Sequence, residues 1–287
     1  MKNLLLATNL SPNSQHALER ALLVARLHRA DLHVVHVAPG GGQGAEEELG
    51  RQVAAAVDYL ESALSDDFGA GFSPASFKSV TGDPVQSIVE EAAACNADLI
   101  VTGLSERAPG AGFVDGTILE GVLMSSARPA IVVKARPTRH YENVMVGLDL
   151  SPSSRHAYAM ALRIAPTADF TIAHANEGGS DLAVLRKELL QVARQCVAEV
   201  RRDVGMHEGA IDVRIEDGSV AEVLDRCARN CAPDLVAFGK HNRASSHRPY
   251  IGSGARSVLE MLDADMLVVP PGSAQDDRHR RDPTALP

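Results

Sequence analysis

The sequence predicts an α/β protein made of two tandem three-layer α/β/α domains, each containing a five-stranded parallel sheet. Two observations predict this fold. The chain repeats itself along its length, and within each repeat short apolar segments alternate with amphipathic segments, which is the pattern of βαβ units. The length of 287 residues is sufficient for two domains of ordinary size, each able to bury its own core.

The internal repeat is clearest at the start of each half. Ten of the first 25 positions are identical after a shift of 140 residues, beginning with Asn3 and Asn143. Later in each half the offset becomes 136, which aligns Gly103 with Gly239. A repeat of this length indicates one domain duplicated within the chain.

The domain boundaries follow from the repeat. We predict a first half at residues 1–137 and a second half at residues 141–271, with the polar connector 136–140 between them. Residues 272–287 lack any apolar period, so a disordered tail is expected there.

Each half is predicted to contain five strands separated by four helices. The first-half strands are expected at residues 3–8, 32–37, 76–80, 99–102 and 130–134, and the second-half strands at residues 143–148, 170–175, 211–215, 235–238 and 266–269. The first helix of each half opens with Ser-Pro, in which Ser11 or Ser151 can cap the helix. The last strand of each half is an apolar edge strand that needs a partner, so we expect the two to pair as a pseudo-dimer.

Composition excludes nucleic-acid binding as a general function. The chain carries 28 basic and 37 acidic residues, a net charge of −9, so it has no overall field that attracts phosphate backbones or anionic membranes. Aromatic residues make up 3% and tryptophan is absent, which argues against surfaces that stack on bases.

The sequence shows no signal for export or membrane insertion. The N-terminal apolar run, residues 4–7, is far shorter than the ~20 residues that span a bilayer. The four cysteines form no C-x-x-C pair and no zinc spacing, so we interpret them as small buried hydrophobic residues in a reducing compartment. We therefore expect a cytoplasmic protein.

A glycine motif follows the fourth strand of each half. In the second half Gly239 is followed thirteen positions later by Gly252 and Ser253, and in the first half Gly103 is followed at the same spacing by Gly116 and Thr117. In open parallel sheets, ligands bind at the carboxyl ends of the strands, where the strand order reverses. Free N–H groups and a helix N-terminus in such a loop attract anions.

Both halves resemble the universal stress protein family, whose nucleotide-binding members carry G-x2-G-x9-G-(S/T) at this place. The resemblance covers residues 1 to 270. It implies a Rossmann-like, adenine nucleotide-binding fold, in which the glycine loop and the next helix hold the phosphates and an aspartate closing strand one lies beside the nucleotide. The ligand implied is ATP, alone or with Mg²⁺. The candidate binding residues are Asp149, Gly239, Asn242, Arg243, Gly252, Ser253 and Gly254.

The two halves depart unequally from the family motif. The second glycine is Glu106 in the first half and Asn242 in the second. Asparagine adopts a left-handed backbone more readily than most residues, whereas glutamate does so poorly and adds negative charge near an expected phosphate. Strand one is followed by Asn9 in the first half and by Asp149 in the second. The second half therefore has the more intact site.

Charge and helix capping favour the same half. Lys240, Arg243 and Arg248 are expected to give the second-half loop local positive charge. In the first half Thr117 and Glu120 form a capping box that satisfies the helix end without a ligand. In the second half Arg256 stands at the matching position, where a cation opposes the helix dipole unless an anion is bound.

Other polar residues fit a structural interpretation better. His36 and His174 occupy matched places on strand two and are interpreted as structural residues. The repeated Ser-x-x-Ser-x-His could suggest a nucleophile and base, but Ser154 and His156 are two residues apart on a helix and point in different directions. We therefore predict no catalytic residue.

The leading hypothesis is a cytoplasmic stress-response module whose second half binds an adenine nucleotide and whose first half is a degenerate partner domain. One alternative is an interaction or ligand-sensing protein that binds no nucleotide. Another is an ATP hydrolase, which lacks a visible general base, although Asp149 could hold a metal-bound water. A homodimer and an unidentified protein partner both remain open.

Overall fold

The computed structural model describes residues 1–38, 44–64, 74–104, 118–176, 178, 181–205, 207, 209–240 and 262–270. Strands and helices alternate along both halves, as the sequence predicts. The first half contains β1 (Asn3–Thr8), α1 (Pro12–His28), β2 (Asp31–Val37), α2 (Ala45–Leu64), β3 (Ser76–Val80), α3 (Pro84–Ala94), β4 (Leu99–Gly103), α4 (Ile118–Ser125) and β5 (Ala130–Val133).

The second half repeats this order. It contains β6 (Asn143–Gly147), α5 (Pro152–Ile164), β7 (Asp169–Asn176), α6 (Leu182–Val204), β8 (Ile211–Asp217), α7 (Val220–Cys231), β9 (Leu235–Gly239) and β10 (Asp265–Val269). Every predicted strand is present, with each end within two residues of the prediction. The predicted fourth helix of this half and the tail at 272–287 lie outside the described residues, except Leu262.

The ten strands of the described residues form one sheet, in the order β3-β2-β1-β4-β5-β10-β9-β6-β7-β8. Neighbouring strands within each half are parallel, whereas β5 and β10 pair antiparallel, with Ile131 opposite Leu267. The expectation that the last strands of the two halves meet is therefore confirmed. Pairing removes both edges from solvent and places these strands at the centre of the sheet.

Each half has one point where the strand order reverses. In the first half β1 lies between β2 and β4, and in the second half β6 lies between β7 and β9. In the first half, α1 after β1 and α4 after β4 pack on opposite faces of the sheet, which opens a crevice at the carboxyl ends of these two strands. The carboxyl ends of β6 and β9 therefore lie side by side at the crevice of the second half.

Helices cover both faces of the sheet and bury two apolar cores. One core includes residues of α1, α2, α5 and α6, such as Leu22, Leu49, Tyr158 and Leu189, and it runs without interruption across both halves. The other includes residues of α3, α4 and α7. Within the first core the Tyr158 ring packs edge-on against Phe170, with centroids 5.4 Å apart.

A buried ionic cluster joins the halves beside the β5–β10 pair. Asp265 is 2% exposed, accepts hydrogen bonds from the Tyr141 hydroxyl (2.7 Å) and the Lys134 N–H (2.9 Å), and pairs with Arg20 at 3.3 Å. The Arg20 guanidinium also lies over the Tyr141 ring. Because Arg20 belongs to α1 and Asp265 to β10, this cluster connects the first half to the second.

The connector between the halves is anchored to the first half. Arg136 forms an ion pair with the fully buried Glu19 at 2.6 Å, and its guanidinium lies over the ring of Tyr59. Arg20 donates to the backbone carbonyl of Arg139.

Among the helices that the structure describes, none is long and apolar enough to cross a membrane.

Candidate functional site

The crevice of the second half brings together two of the predicted site residues. Gly239 is the last residue of β9, and Asp149 follows β6, the neighbouring strand. Gly239 packs against the backbone of Ser153 and Ser154 at the start of α5, and the Asp149 N–H donates to Ser154 Oγ at 3.3 Å. Both residues therefore contact the same helix N-terminus.

Gly239 is required by this close approach. A Cβ atom at this position would lie 2.6 Å from the Ser153 carbonyl oxygen and 2.7 Å from the Ser154 nitrogen. Both are backbone atoms of a helix, which cannot move as the tip of a flexible side chain can. The first glycine of the sequence motif is thus explained by helix–strand packing at the crevice.

The turn between β6 and α5 holds Asp149 in a defined position. Asp149 Oδ1 accepts a hydrogen bond from the Ser151 N–H at 3.0 Å, an Asx turn. Leu150 adopts a left-handed backbone, with φ of 65°. Ser151 then caps α5 by accepting from the Ser154 N–H at 3.2 Å, as the sequence predicts. The carboxylate is therefore placed by its own turn at the mouth of the crevice.

His174 braces the same turn from the adjacent strand. Its Nδ1 lies 2.6 Å from the carbonyl oxygen of Leu148, the residue before Asp149. In the first half His36 Nδ1 lies 3.0 Å from the Thr8 carbonyl oxygen. Because a carbonyl only accepts, each ring donates from Nδ1. Each imidazole therefore holds a backbone carbonyl of the turn, which agrees with the structural interpretation.

The first half has the same turn with a different side chain. Asn9 Oδ1 accepts from the Ser11 N–H at 3.0 Å, and Leu10 is left-handed with φ of 58°. The backbone geometry after strand one is therefore shared by the two halves. What differs is charge, because an amide in the first half replaces the carboxylate of the second.

The predicted cap by Ser11 is wrong. The Ser11 side chain makes no capping hydrogen bond, although its backbone is extended as at a helix N-cap. Instead Ser14 Oγ donates to the Ser11 carbonyl at 2.8 Å and accepts from Thr8 Oγ1 at 2.9 Å. Thr8 occupies the position that Leu148 has in the second half. Because leucine has no hydroxyl, a strand side chain bonds Ser14 only in the first half, and the hydrogen bonds at the two helix starts differ.

The expectation that Lys240 adds positive charge to the phosphate loop is also wrong. Its side chain turns away from the second half, and its Nζ donates to the carbonyl oxygens of Leu123 (2.7 Å), Met124 (3.3 Å) and Ser126 (3.3 Å) in the first half. Burial lowers the pKa of Lys240 to about 8. The carboxyl end of α4 supplies the acceptors for this ammonium group.

The remaining predicted site residues lie outside the part of the chain that the structure describes. These are Asn242, Arg243, Gly252, Ser253 and Gly254, together with Arg248 and Arg256 of the same loop and Glu106, Gly116 and Thr117 of the first half. Their roles remain predictions from the sequence.

Ser154 and His156 bond different backbone carbonyls. Ser154 is 2% exposed and donates to the Ser151 carbonyl, while His156 Nδ1 contacts the Pro270 carbonyl at 3.3 Å.

Among the cysteines, Cys196 and Cys227 are buried, and burial raises the pKa of Cys196 to about 11 and that of Cys227 to about 12. No group of three metal-ligating side chains is found within the described ranges.

Sequence reasoning missed two features of the crevice. The left-handed Leu10 and Leu150 were not expected, although the repeated Asn-Leu-Ser-Pro and Asp-Leu-Ser-Pro could have indicated a tight turn at both places. The crossing of Lys240 into the first half has no signal in the local sequence, because its acceptors are backbone carbonyls more than 100 residues away.

Comparison with known proteins establishes the family. The model of the Universal stress protein family matches residues 1–134 and again residues 140–270. The chain belongs to the universal stress protein family. Two matches in succession account for the duplicated sequence, and the mixed α/β architecture of both halves is the fold of that family. No curated protein sequence matches the chain.

Solved structures share the architecture of the whole chain. A universal stress protein from Archaeoglobus fulgidus is 20% identical, with a TM-score of 0.67, and the match covers 94% of this chain and 97% of that protein. A functionally unknown protein from Pseudomonas aeruginosa is 18% identical, with a TM-score of 0.66, and the match covers 94% and 93%. At these identities the likeness shows the fold.

A shorter structure matches about half of the chain. It is a universal stress protein from Archaeoglobus fulgidus in complex with dAMP, 22% identical, with a TM-score of 0.32, and the match covers 46% of this chain and 97% of that protein.

Proposed function

We propose that this tandem universal stress protein binds an adenine nucleotide, ATP alone or with Mg²⁺, in its second half, and that it acts as a regulatory module of the cytoplasmic stress response. One observation carries the proposal. Asp149 and Gly239, which the family motif relates to nucleotide binding, meet at the strand-order reversal of the second half on the N-terminus of α5. Open parallel sheets bind their ligands at this place.

The loop after Gly239 supplies the phosphate contacts in this proposal. The main-chain N–H groups near Asn242, Gly252, Ser253 and Gly254 bind the phosphate oxygens, and Arg243 neutralises their charge. Asp149, held by its Asx turn, accepts hydrogen bonds from the nucleoside. Asp149 would be the protein ligand for Mg²⁺, which would offset the negative charge of the phosphates.

The first half serves as a partner domain with a degenerate site. Asn9 keeps the turn geometry but removes the carboxylate, and Glu106 places a negative charge within the corresponding motif. Glutamate beside a polyphosphate is repulsive, so the first half is proposed to remain empty. Nucleotide binding in the second half then controls contacts with another protein.

Calorimetric titration of ATP–Mg²⁺ into the intact chain tests which half binds. The substitution Gly252→Val should abolish binding, because a β-branched side chain obstructs the phosphate loop, whereas the matched Gly116→Val should leave the affinity within about twofold. The reverse result would show that the halves are assigned backwards. No binding by the unaltered chain would contradict the proposal and favour an interaction protein without nucleotide.

A further inference from the structure

Lys240 directly follows Gly239, the glycine that begins the loop of the second half. Its backbone N–H donates to the Val269 carbonyl at 2.7 Å, which keeps the main chain in the sheet one residue beyond β9. The residue is 4% exposed, and its side chain extends to the first half. The backbone of Lys240 is therefore bonded within the second half, whereas its ammonium group is bonded to the first half.

The ammonium group binds the carboxyl end of α4. Its three acceptors are the carbonyl oxygens of Leu123, Met124 and Ser126, at 2.7, 3.3 and 3.3 Å. The last carbonyls of a helix have no partner within the helix and carry its partial negative charge. A lysine ammonium has three N–H donors, so these contacts can satisfy the buried ammonium.

The bonded helix is the one that follows the degenerate motif of the first half. Helix α4 spans Ile118–Ser125 and begins directly after Gly116 and Thr117 in the sequence. Its carboxyl end is thereby held against the residue at which the second-half loop begins. A reciprocal contact crosses the same seam, since Lys134 Nζ donates to the Leu262 carbonyl at 2.6 Å.

We propose that Lys240 is a positioning residue for the nucleotide site of the second half, and that the first half fixes the start of the phosphate loop by binding the Lys240 ammonium at the carboxyl end of α4. This inference rests on the proposed function. It gives the first half a role in ligand binding even though its own site is degenerate. Conversely, a ligand bound in the second half stabilises α4 of the first half, because linkage is reciprocal.

Affinity for ATP–Mg²⁺ in the intact chain tests the positioning role. Lys240→Met retains the apolar stem and removes the ammonium, and should weaken binding by about tenfold, the scale of one hydrogen-bonded charge. Arg136→Met is the matched control, because it removes a cation from the buried Glu19 of the first half. The control should lose stability and keep its affinity within about twofold. If Lys240→Met is not folded, Lys240→Gln replaces it.

Hydrogen exchange of the peptide covering residues 118–126 provides a second readout. ATP–Mg²⁺ should slow exchange there in the unaltered chain and in Arg136→Met, but not in the Lys240 variant. Unchanged affinity in the Lys240 variant, or equal weakening in Arg136→Met, would overturn the inference while leaving the proposed function intact. Absence of binding by the unaltered chain would overturn both.

Discussion

One glycine determines how closely strand β9 approaches helix α5. A Cβ atom at Gly239 would lie 2.6 Å from a backbone oxygen of that helix, so Gly239→Ala must displace either the strand or the helix. We expect a loss of about 1–3 kcal/mol in the free energy of unfolding, measured by urea denaturation, the range for overpacking against rigid neighbours.

Gly147, at the end of the neighbouring strand β6, provides the control for this substitution. A Cβ atom there would meet Leu224 Cδ2 at 3.6 Å, an ordinary contact. Gly147→Ala should change the free energy of unfolding by less than about 1 kcal/mol. Equal losses for the two variants would show that the contact between Gly239 and Ser153 does not limit packing at the crevice.

His28, in the last turn of α1, should make the protein sensitive to acid. Burial and the charge of the amino terminus lower its pKa from 6.5 to about 4. The unfolded chain therefore binds a proton that the folded chain excludes between pH 6.5 and 4. The stability that depends on neutral His28 is complete above pH 6.5 and is lost as the pH falls through 4.

Urea denaturation across that pH range should show a steeper loss in the unaltered chain than in His28→Gln. The comparison removes the contributions of carboxylates, which both proteins share. Parallel pH profiles for the two proteins would contradict a depressed histidine pKa. They would mean that the imidazole is protonated equally in the folded and the unfolded chain.

At the scale of elements, the contact between β5 and β10 depends on one buried carboxylate. Asp265→Ala would leave Arg20 and the Tyr141 hydroxyl buried without this partner, and it would also release the N–H of Lys134. Breaking a buried ion pair from one side costs about 3–5 kcal/mol, and we expect a loss of this size in thermal or urea unfolding.

An exposed ion pair provides the comparison. Asp212 and Arg214 lie 3.0 Å apart on strand β8, with side chains 54% and 37% exposed. Asp212→Ala should change stability by less than about 1 kcal/mol. If Asp265→Ala cost no more than this, the ionic cluster would not be what holds the two halves together.

The strands could be predicted to within two residues because short apolar runs between helical segments mark them clearly. The hydrogen bonds that cap the helix starts could not be predicted from the sequence. Ser11 and Ser151 precede the same Ser-Pro pattern, yet only Ser151 caps its helix, because Thr8 in the first half adds a hydroxyl that bonds Ser14. Local sequence predicts where a helix begins, whereas the hydrogen bonds depend on the strand beside it.

At the scale of the whole molecule, the continuous sheet should make the two halves unfold together. One apolar core spans both halves, and Asp265, Lys134 and Lys240 bond across the seam. Hydrogen exchange at increasing urea should give the amides of β1 and β6 the same opening free energy, within about 1 kcal/mol. A half that exchanges by a separate, lower-energy opening would contradict this cooperativity.

The pairing of the halves could be predicted from apolar edge strands that need a partner, but the side chains that join the halves could not. Asp265 accepts from the N–H of Lys134, 131 residues away in the first half, and Lys240 reaches carbonyls of α4 across the seam. Within the site, the motif identified Asp149 and Gly239, which the structure brings to one crevice. The prediction that Lys240 adds positive charge to the second-half loop was wrong, because the sequence of a loop does not show in which direction a side chain extends.

The inequality of the two halves is tested most directly by counting ligands on the intact chain. Native mass spectrometry with ATP and Mg²⁺ measures how many nucleotides one chain holds. An aspartate at one crevice and an asparagine at the other predict one nucleotide per chain. Two nucleotides would show that Asn9 and Glu106 do not close the first half, and none would contradict nucleotide binding by this protein.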